Sequence, residues 1–177
     1  LMDTISKRYS ACGARLGAFV TKNKVVYDAA MKFAQARLSP PGLAQIMGEA
    51  AVDLPDDYFE TPKTEYLSRR NLLVQRLNAM PGVFCPNPGG AFYAIARLPI
   101  DDCDKFCQWL LEDFSYNKQT VMLAPATGFY GSAGLGKNEV RLAYVLNLDS
   151  INAAMDCLEK ALEQYPGKVL TEMKAVM

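Results

Sequence analysis

Two cations near the start of the chain set the chemistry it can offer. Lys7 and Arg15 stand in the run Thr4-Ile5-Ser6-Lys7-Arg8-Tyr9-Ser10-Ala11-Cys12-Gly13-Ala14-Arg15-Leu16-Gly17, with hydroxyls ahead of the lysine and glycines on both sides of the arginine. A lysine among small residues and hydroxyls, followed by a Gly-Ala-Arg-Leu-Gly turn into an apolar segment, is expected in a partly desolvated pocket rather than on an open polar face. In such a pocket the amine loses proton affinity and can attack a carbonyl to form a Schiff base. Arg15 and the Thr4 hydroxyl suit a phosphate, because the planar guanidinium fork matches two oxygens at once.

A third cation stands far downstream. In Asn138-Glu139-Val140-Arg141-Leu142-Ala143-Tyr144 the alternation puts Val140, Leu142 and Tyr144 on one strand face and Arg141 with Ala143 on the other. A lone arginine in mid-strand beside small neighbours reads, by itself, as a surface residue on an edge strand.

The composition narrows the rest. Histidine is absent, so Ser/His and Cys/His triads, histidine-ligated zinc and histidine acid/base catalysis are excluded for this chain alone. Nineteen Lys plus Arg balance nineteen Asp plus Glu, and this zero formal charge recruits neither nucleic acid nor an anionic membrane. A small-molecule partner is expected. Cys12, Cys85, Cys103, Cys107 and Cys157 are odd in number and scattered in apolar contexts without a CxxC pair, which reads as reduced core cysteines in a cytoplasmic protein and as no metal site. No apolar run reaches the roughly 20 residues of a membrane span. The chain opens on Leu1 and enters its motif within a few residues, so it reads as a piece of something longer.

The elements that must position these cations follow from periodicity and breakers. Leu16 to Val20 reads as a buried strand. Val25 to Leu38 reads as a helix stopped by Ser39-Pro40-Pro41, and Gly42 to Val52 as a second helix. Pro62 to Met80 reads as a third, capped by Thr61, with Tyr66, Leu73, Leu77 and Met80 inward and Arg69, Arg70 and Arg76 toward water. Beyond Gly82 strands are expected at Val83–Cys85, Ala91–Leu98, Thr120–Leu123 and Val140–Leu146, with helices at Asp104–Phe114 and Ser150–Tyr165. The glycine-bearing stretch Ala124 to Lys137 reads as a flexible loop, a candidate substrate lid. Tyr9, Tyr93, Tyr130 and Tyr144 stay without an assigned role. The fold class is α/β, with an α+β small domain. The expected division is 1–40 as the end of a larger domain, 41–81 as connecting helices, 82–165 as the small domain and 166–177 as a tail.

On these residues the chain resembles the class I and II, aspartate aminotransferase-like, pyridoxal-phosphate enzymes of fold type I. Their Schiff-base motif is S-x-S-K followed by G-x-R-x-G, and here Thr4 replaces the first serine while keeping its hydroxyl. The turn Pro88-Gly89-Gly90-Ala91-Phe92-Tyr93 is similar to the family's P-x-G-A-F-Y segment, and the strand bearing Arg141 to the one whose arginine grips the substrate α-carboxylate. Arg37, ahead of Ser39-Pro40-Pro41, falls where the family has a Pro-Pro loop near the active site of the dimer.

The resemblance implies a C-terminal small domain joined to the end of the large domain of a pyridoxal-phosphate-dependent transferase. It implies Lys7 as the catalytic, cofactor-binding lysine; Thr4, Ser6 and Arg15 at the cofactor phosphate; and Arg141 at the substrate carboxylate. The implied cofactor is pyridoxal 5'-phosphate, the implied substrates an amino acid, aspartate first, and a 2-oxo acid, and the implied assembly a homodimer. The acid that pairs with the pyridine nitrogen comes in this family from sequence before the lysine, and only six residues precede Lys7. The 177 residues alone are therefore expected to be inactive and to hold the cofactor poorly. Two other classes stay open: a cofactor-binding effector domain of a transcription regulator, and a lyase or decarboxylase on the same fold.

Overall fold

A computed structural model of the chain describes residues 1–169, and the end of the expected 166–177 tail, residues 170–177, lies outside the described residues. The chain divides into two units, Leu1–Phe59 and the residues from Glu60 onward.

The first unit is built on a short hairpin. Strand β1 (Met2–Thr4) pairs antiparallel with β2 (Gly17–Phe19), Met2 opposite Phe19 and Thr4 opposite Gly17. Gly17 is needed there, because a Cβ would stand 2.8 Å from the Asp3 carbonyl oxygen. One helical turn, α1 (Ile5–Arg8), and a 3-10 turn at Cys12–Ala14 lie between the strands. Helix α2 (Lys24–Arg37) starts at Asn23, whose side chain accepts the Val26 N–H at 3.2 Å, and stops before Pro40-Pro41, which cannot continue a helix. Helix α3 (Gly42–Val52) follows, then a 3-10 turn at Asp56–Phe59. Tyr9 meets Tyr58 and Phe59 with ring centroids 6.3 and 5.6 Å away. Ala44 is the only buried apolar residue described in this unit, while Phe33, Leu43, Ile46 and Val52 are exposed.

The second unit holds the core. Its sheet runs β3 (Tyr93–Arg97), β5 (Glu139–Ala143), β4 (Ala124–Pro125), all antiparallel, with β5 in the centre. Helices α4 (Glu60–Ala79), α5 (Cys103–Glu112) and α6 (Leu148–Gln164) supply Leu73 and Leu77, Phe106 and Leu110, and Ile151, Met155, Leu158 and Leu162 to one apolar cluster with Val140, Leu142 and Tyr144. Each such side chain contributes about 1.5–3 kcal/mol on burial. Asp102 caps α5 through the N–H groups of Asp104 and Lys105, and Asn147 caps α6 through that of Ser150.

Several sequence expectations change. The segment read as a buried strand, Leu16 to Val20, forms its strand over Gly17–Phe19, and that strand is exposed, because it pairs with β1 alone and no side-chain layer within its unit covers it. Cys12, read as a core residue, is exposed as well, whereas the other four cysteines are buried and burial pushes the Cys107 thiol up to about 12. Val83–Cys85 forms no strand. Phe84 exchanges one pair of hydrogen bonds with Arg97, but the Asn78 side chain takes both the N–H and the carbonyl of Cys85, at 2.8 and 2.9 Å, and Pro86 has no N–H to extend a ladder. Thr120–Leu123 is apolar without being laddered, and the strand falls at Ala124–Pro125, inside the stretch read as a loop. Helix α4 begins at Glu60, so Thr61 sits inside it rather than capping it. Its arginines are half-buried rather than water-facing: Arg69 donates to the Val145 carbonyl at 2.6 Å, Arg70 to that of Pro88 at 3.1 Å, and Arg76 to Asn152 at 2.9 Å and Asp156 at 2.5 Å.

Candidate active site

The lysine lies in a turn organised by a threonine. Thr4 is the N-cap of α1: its Oγ1 accepts the Ser6 N–H at 3.2 Å and donates to the Leu16 carbonyl at 3.1 Å. Ile5 donates its N–H to the same carbonyl at 3.2 Å. Thr4 thus joins the turn that carries Lys7 to the residue that follows Arg15. Thr4 and Ser6 are half-buried; Lys7 and Arg15 are exposed, a correction to the desolvated pocket expected for the lysine. Its physical cause is that this unit has no packed apolar layer of its own to cover the turn.

Arg15 sits in the left-handed region, φ 55° and ψ 39°, at the end of the 3-10 turn, and its Nη1 donates to the Cys12 carbonyl at 3.1 Å. A non-glycine residue there costs about 1–2 kcal/mol, which the flanking turn imposes. Among the described residues no carboxylate pairs with Arg15. Asp3 pairs instead with Arg8 at 2.5 Å, and the Arg8 hydrogen bond followed by the Thr4 N–H holds the Asp3 carboxyl below its usual range. Because those two charges cancel, Arg8 adds little to the local positive charge. A neighbouring concavity of about 610 Å³ is lined by Thr4, Arg8, Tyr9 and Leu16 with Gln45 and Glu49 of α3; Ser6, Lys7 and Arg15 do not line it.

Arg141 belongs to the second unit. It lies on the central strand, opposite Ile95 of β3 on one side and Ala124 of β4 on the other, so the edge-strand alternative falls away. Its guanidinium stands 4.7 Å from the Tyr93 ring centroid and 4.6 Å from that of Phe129. Tyr130 donates its hydroxyl to Glu139, on the same strand face as Arg141, and that bond raises the Tyr130 pKa. Phe129 carried no signal in the sequence beyond its place among glycines. Tyr93 becomes legible only through register, two residues from the partner of Arg141 on the same face.

A pyridoxal phosphate needs an amine for its aldehyde and cationic and hydroxyl donors for its phosphate. Lys7 offers the first, and Arg15, Thr4 and Ser6 the second. Arg15 keeps N–H donors beyond its backbone bond, and the Thr4 proton now given to Leu16 can be given to a phosphate oxygen instead. The donor set fits the group.

Comparison with known proteins agrees. The family described as aminotransferase class I and II matches residues 1–158, and the chain belongs to that family. It is 32% identical over 167 residues to the aspartate aminotransferase of Pyrococcus horikoshii, covering 92% of this chain and 41% of that protein. Among solved structures it is similar to an alanine aminotransferase from Pyrococcus furiosus, with TM-score 0.75, 30% identity, and 90% of this chain on 40% of that one. It is also similar to an aspartate aminotransferase from Thermotoga maritima, with TM-score 0.74, 28% identity, and 92% of this chain on 39% of that one. The mixed α/β fold is therefore that of aminotransferases over about 40% of their length. The chain spans about two fifths of the length of the curated relatives it matches. Among the described residues no helix is long and apolar enough to cross a membrane.

Proposed function

We propose that the whole protein transfers an amino group between an amino acid, aspartate first among candidates, and a 2-oxo acid, using pyridoxal 5'-phosphate. The observation that carries this reading is the Thr4 hydroxyl linking the turn of Lys7 to the turn of Arg15, which puts amine, hydroxyl and guanidinium donors on one short hairpin. When bound, the cofactor supplies the aldehyde that takes up the amino group and a ring that spreads the charge left at Cα. Lys7 would hold it through its amine and would carry a proton to and from the substrate Cα. Arg15 and Thr4 bind its phosphate, assisted by Ser6, and Arg141 binds the substrate α-carboxylate in two parallel hydrogen bonds, orienting the Cα–H bond.

In this reading residues 1–40 close a larger cofactor-binding domain, 41–81 connect it, and 82–165 form the small domain. The whole protein is a cytoplasmic homodimer, and the 177 residues alone are inactive. The aspartate aminotransferase of P. horikoshii supports aspartate, and the alanine aminotransferase of P. furiosus supports a smaller substrate on the same frame. In the whole protein Lys7→Ala abolishes both the visible absorbance of the lysine-bound cofactor and turnover; an unchanged spectrum overturns the assignment. Aspartate with 2-oxoglutarate then separates transfer from lyase chemistry, since a lyase releases its product without consuming the oxo acid.

A further inference from the structure

We infer that Tyr93 and Phe129 are positioning residues for Arg141, clamping its guanidinium between two rings so that only its in-plane N–H edge is offered to a carboxylate. The inference rests on the carboxylate reading of Arg141 and goes beyond it by naming what aims the arginine. Both rings lie within 5 Å of the guanidinium carbon, at 4.7 and 4.6 Å, well inside the distance at which a cation is attracted to an aromatic face. They come from different elements: Tyr93 opens β3, and Phe129 ends the 3-10 turn at Thr127–Phe129. Two supports from separate segments fix a plane, where one ring would leave the long side chain free to swing.

The in-plane edge remains available. Among the described residues neither a hydrogen bond nor an ion pair occupies the Arg141 guanidinium. The nearest candidate on the same strand face, Glu139, is engaged by the Tyr130 hydroxyl. An arginine held against two rings with its N–H donors uncommitted suits a planar, bidentate acceptor such as a carboxylate. The same aromatic contacts leave less side-chain entropy to be lost when the carboxylate arrives.

The test uses the whole protein and reads two quantities, KM against kcat for the amino acid, and the dissociation constant of acetate as a carboxylate probe, followed on the Arg141 Nε–H resonance. That resonance is assigned by its loss in Arg141→Lys. Phe129→Leu and Tyr93→Leu each raise KM and the acetate dissociation constant about three- to tenfold with kcat little changed. Phe129→Tyr and Tyr93→Phe, which keep a ring, restore both values. Phe129 is 53% exposed, so its replacement leaves folding intact even where Tyr93→Leu does not. If both leucine variants bind acetate and substrate as the parent does while Arg141→Lys raises KM, the clamp is overturned and the carboxylate role of Arg141 stands. If Arg141→Lys also leaves KM unchanged, the carboxylate reading itself falls and the clamp with it.

Discussion

Tyr130 donates its hydroxyl to the Glu139 carboxylate, and Glu139 precedes Arg141 by two residues on the same face of β5. Same-face residues two apart on a strand lie about 7 Å from one another, within reach of two long side chains of opposite charge. The tyrosine therefore decides whether Glu139 competes for the guanidinium. The ring is accommodated because residue 136 is glycine: a Cβ there would meet Tyr130 ring carbons at 2.7 Å, and its φ of +74° is left-handed.

Tyr130→Phe releases Glu139 toward Arg141, and on the carboxylate reading it raises KM for the amino acid severalfold with kcat nearly unchanged. The effect is reversed by adding Glu139→Gln to the same chain. The hydrogen bond to Glu139 raises the Tyr130 pKa above its usual 10, so the pair holds at pH 10 and is lost only as pH rises past the shifted value. Steady-state kinetics of the single and double variants check this, and a double variant no better than Tyr130→Phe alone would rule out competition by Glu139.

How much of this arrangement could be seen in the residues alone depends on whether it is written in period or in partners. The alternation around Arg141 places Val140, Leu142 and Tyr144 in the core, as found, because the buried face of a strand repeats every second residue. The stripe Ile151, Met155, Leu158 and Leu162 likewise marks the inner face of α6. The failures lie where a side chain replaces a backbone partner. Asn78 satisfies Cys85 from seven residues away and ends a strand that the apolar run Val83–Cys85 promised. Arg69, Arg70 and Arg76 look solvent-facing by charge, but each finds a carbonyl or carboxylate acceptor that only the fold brings near. Phe129 reaches Arg141 across a turn that has no periodic signature. The motif around Lys7 shows which groups are grouped together and not how deeply they are covered, since burial is a property of the surrounding layers.

Arg15 offers a separation of backbone from side-chain effects. Its left-handed backbone, φ 55°, strains any residue with a Cβ, whereas glycine adopts it freely. Arg15→Gly is thus more stable than Arg15→Ala by about 1 kcal/mol. Both variants remove the guanidinium, so both weaken cofactor binding to the same extent on the phosphate reading. Denaturant unfolding and cofactor titration of the two apo variants check the two halves independently. Equal stabilities would show that the turn relaxes, and unequal cofactor affinities would mean that backbone strain, rather than the cation, governs binding.

Tyr165 and Asp101 give the second unit an alkaline limit. The buried Tyr165 donates to Asp101 Oδ1 at 3.0 Å, and Asp101 in turn donates its N–H to the Gly167 carbonyl at 2.9 Å, tying the segment after α6 to the core. Burial first, and then the bond to Asp101, push the Tyr165 hydroxyl from its usual 10 up to about 12. Since the neutral hydroxyl is the form that folding favours, its contribution is fully present below pH 10 and is lost as pH rises from 10 to 12. The loss is on the order of 2 kcal/mol. Tyr165→Phe lowers stability at neutral pH by about 1 kcal/mol through the missing hydrogen bond and flattens the fall above pH 10, where the parent must ionise a buried phenol. Unfolding measured at a series of alkaline pH values distinguishes the two chains. A variant whose stability falls as steeply as the parent's between pH 10 and 12 would place the responsible group elsewhere.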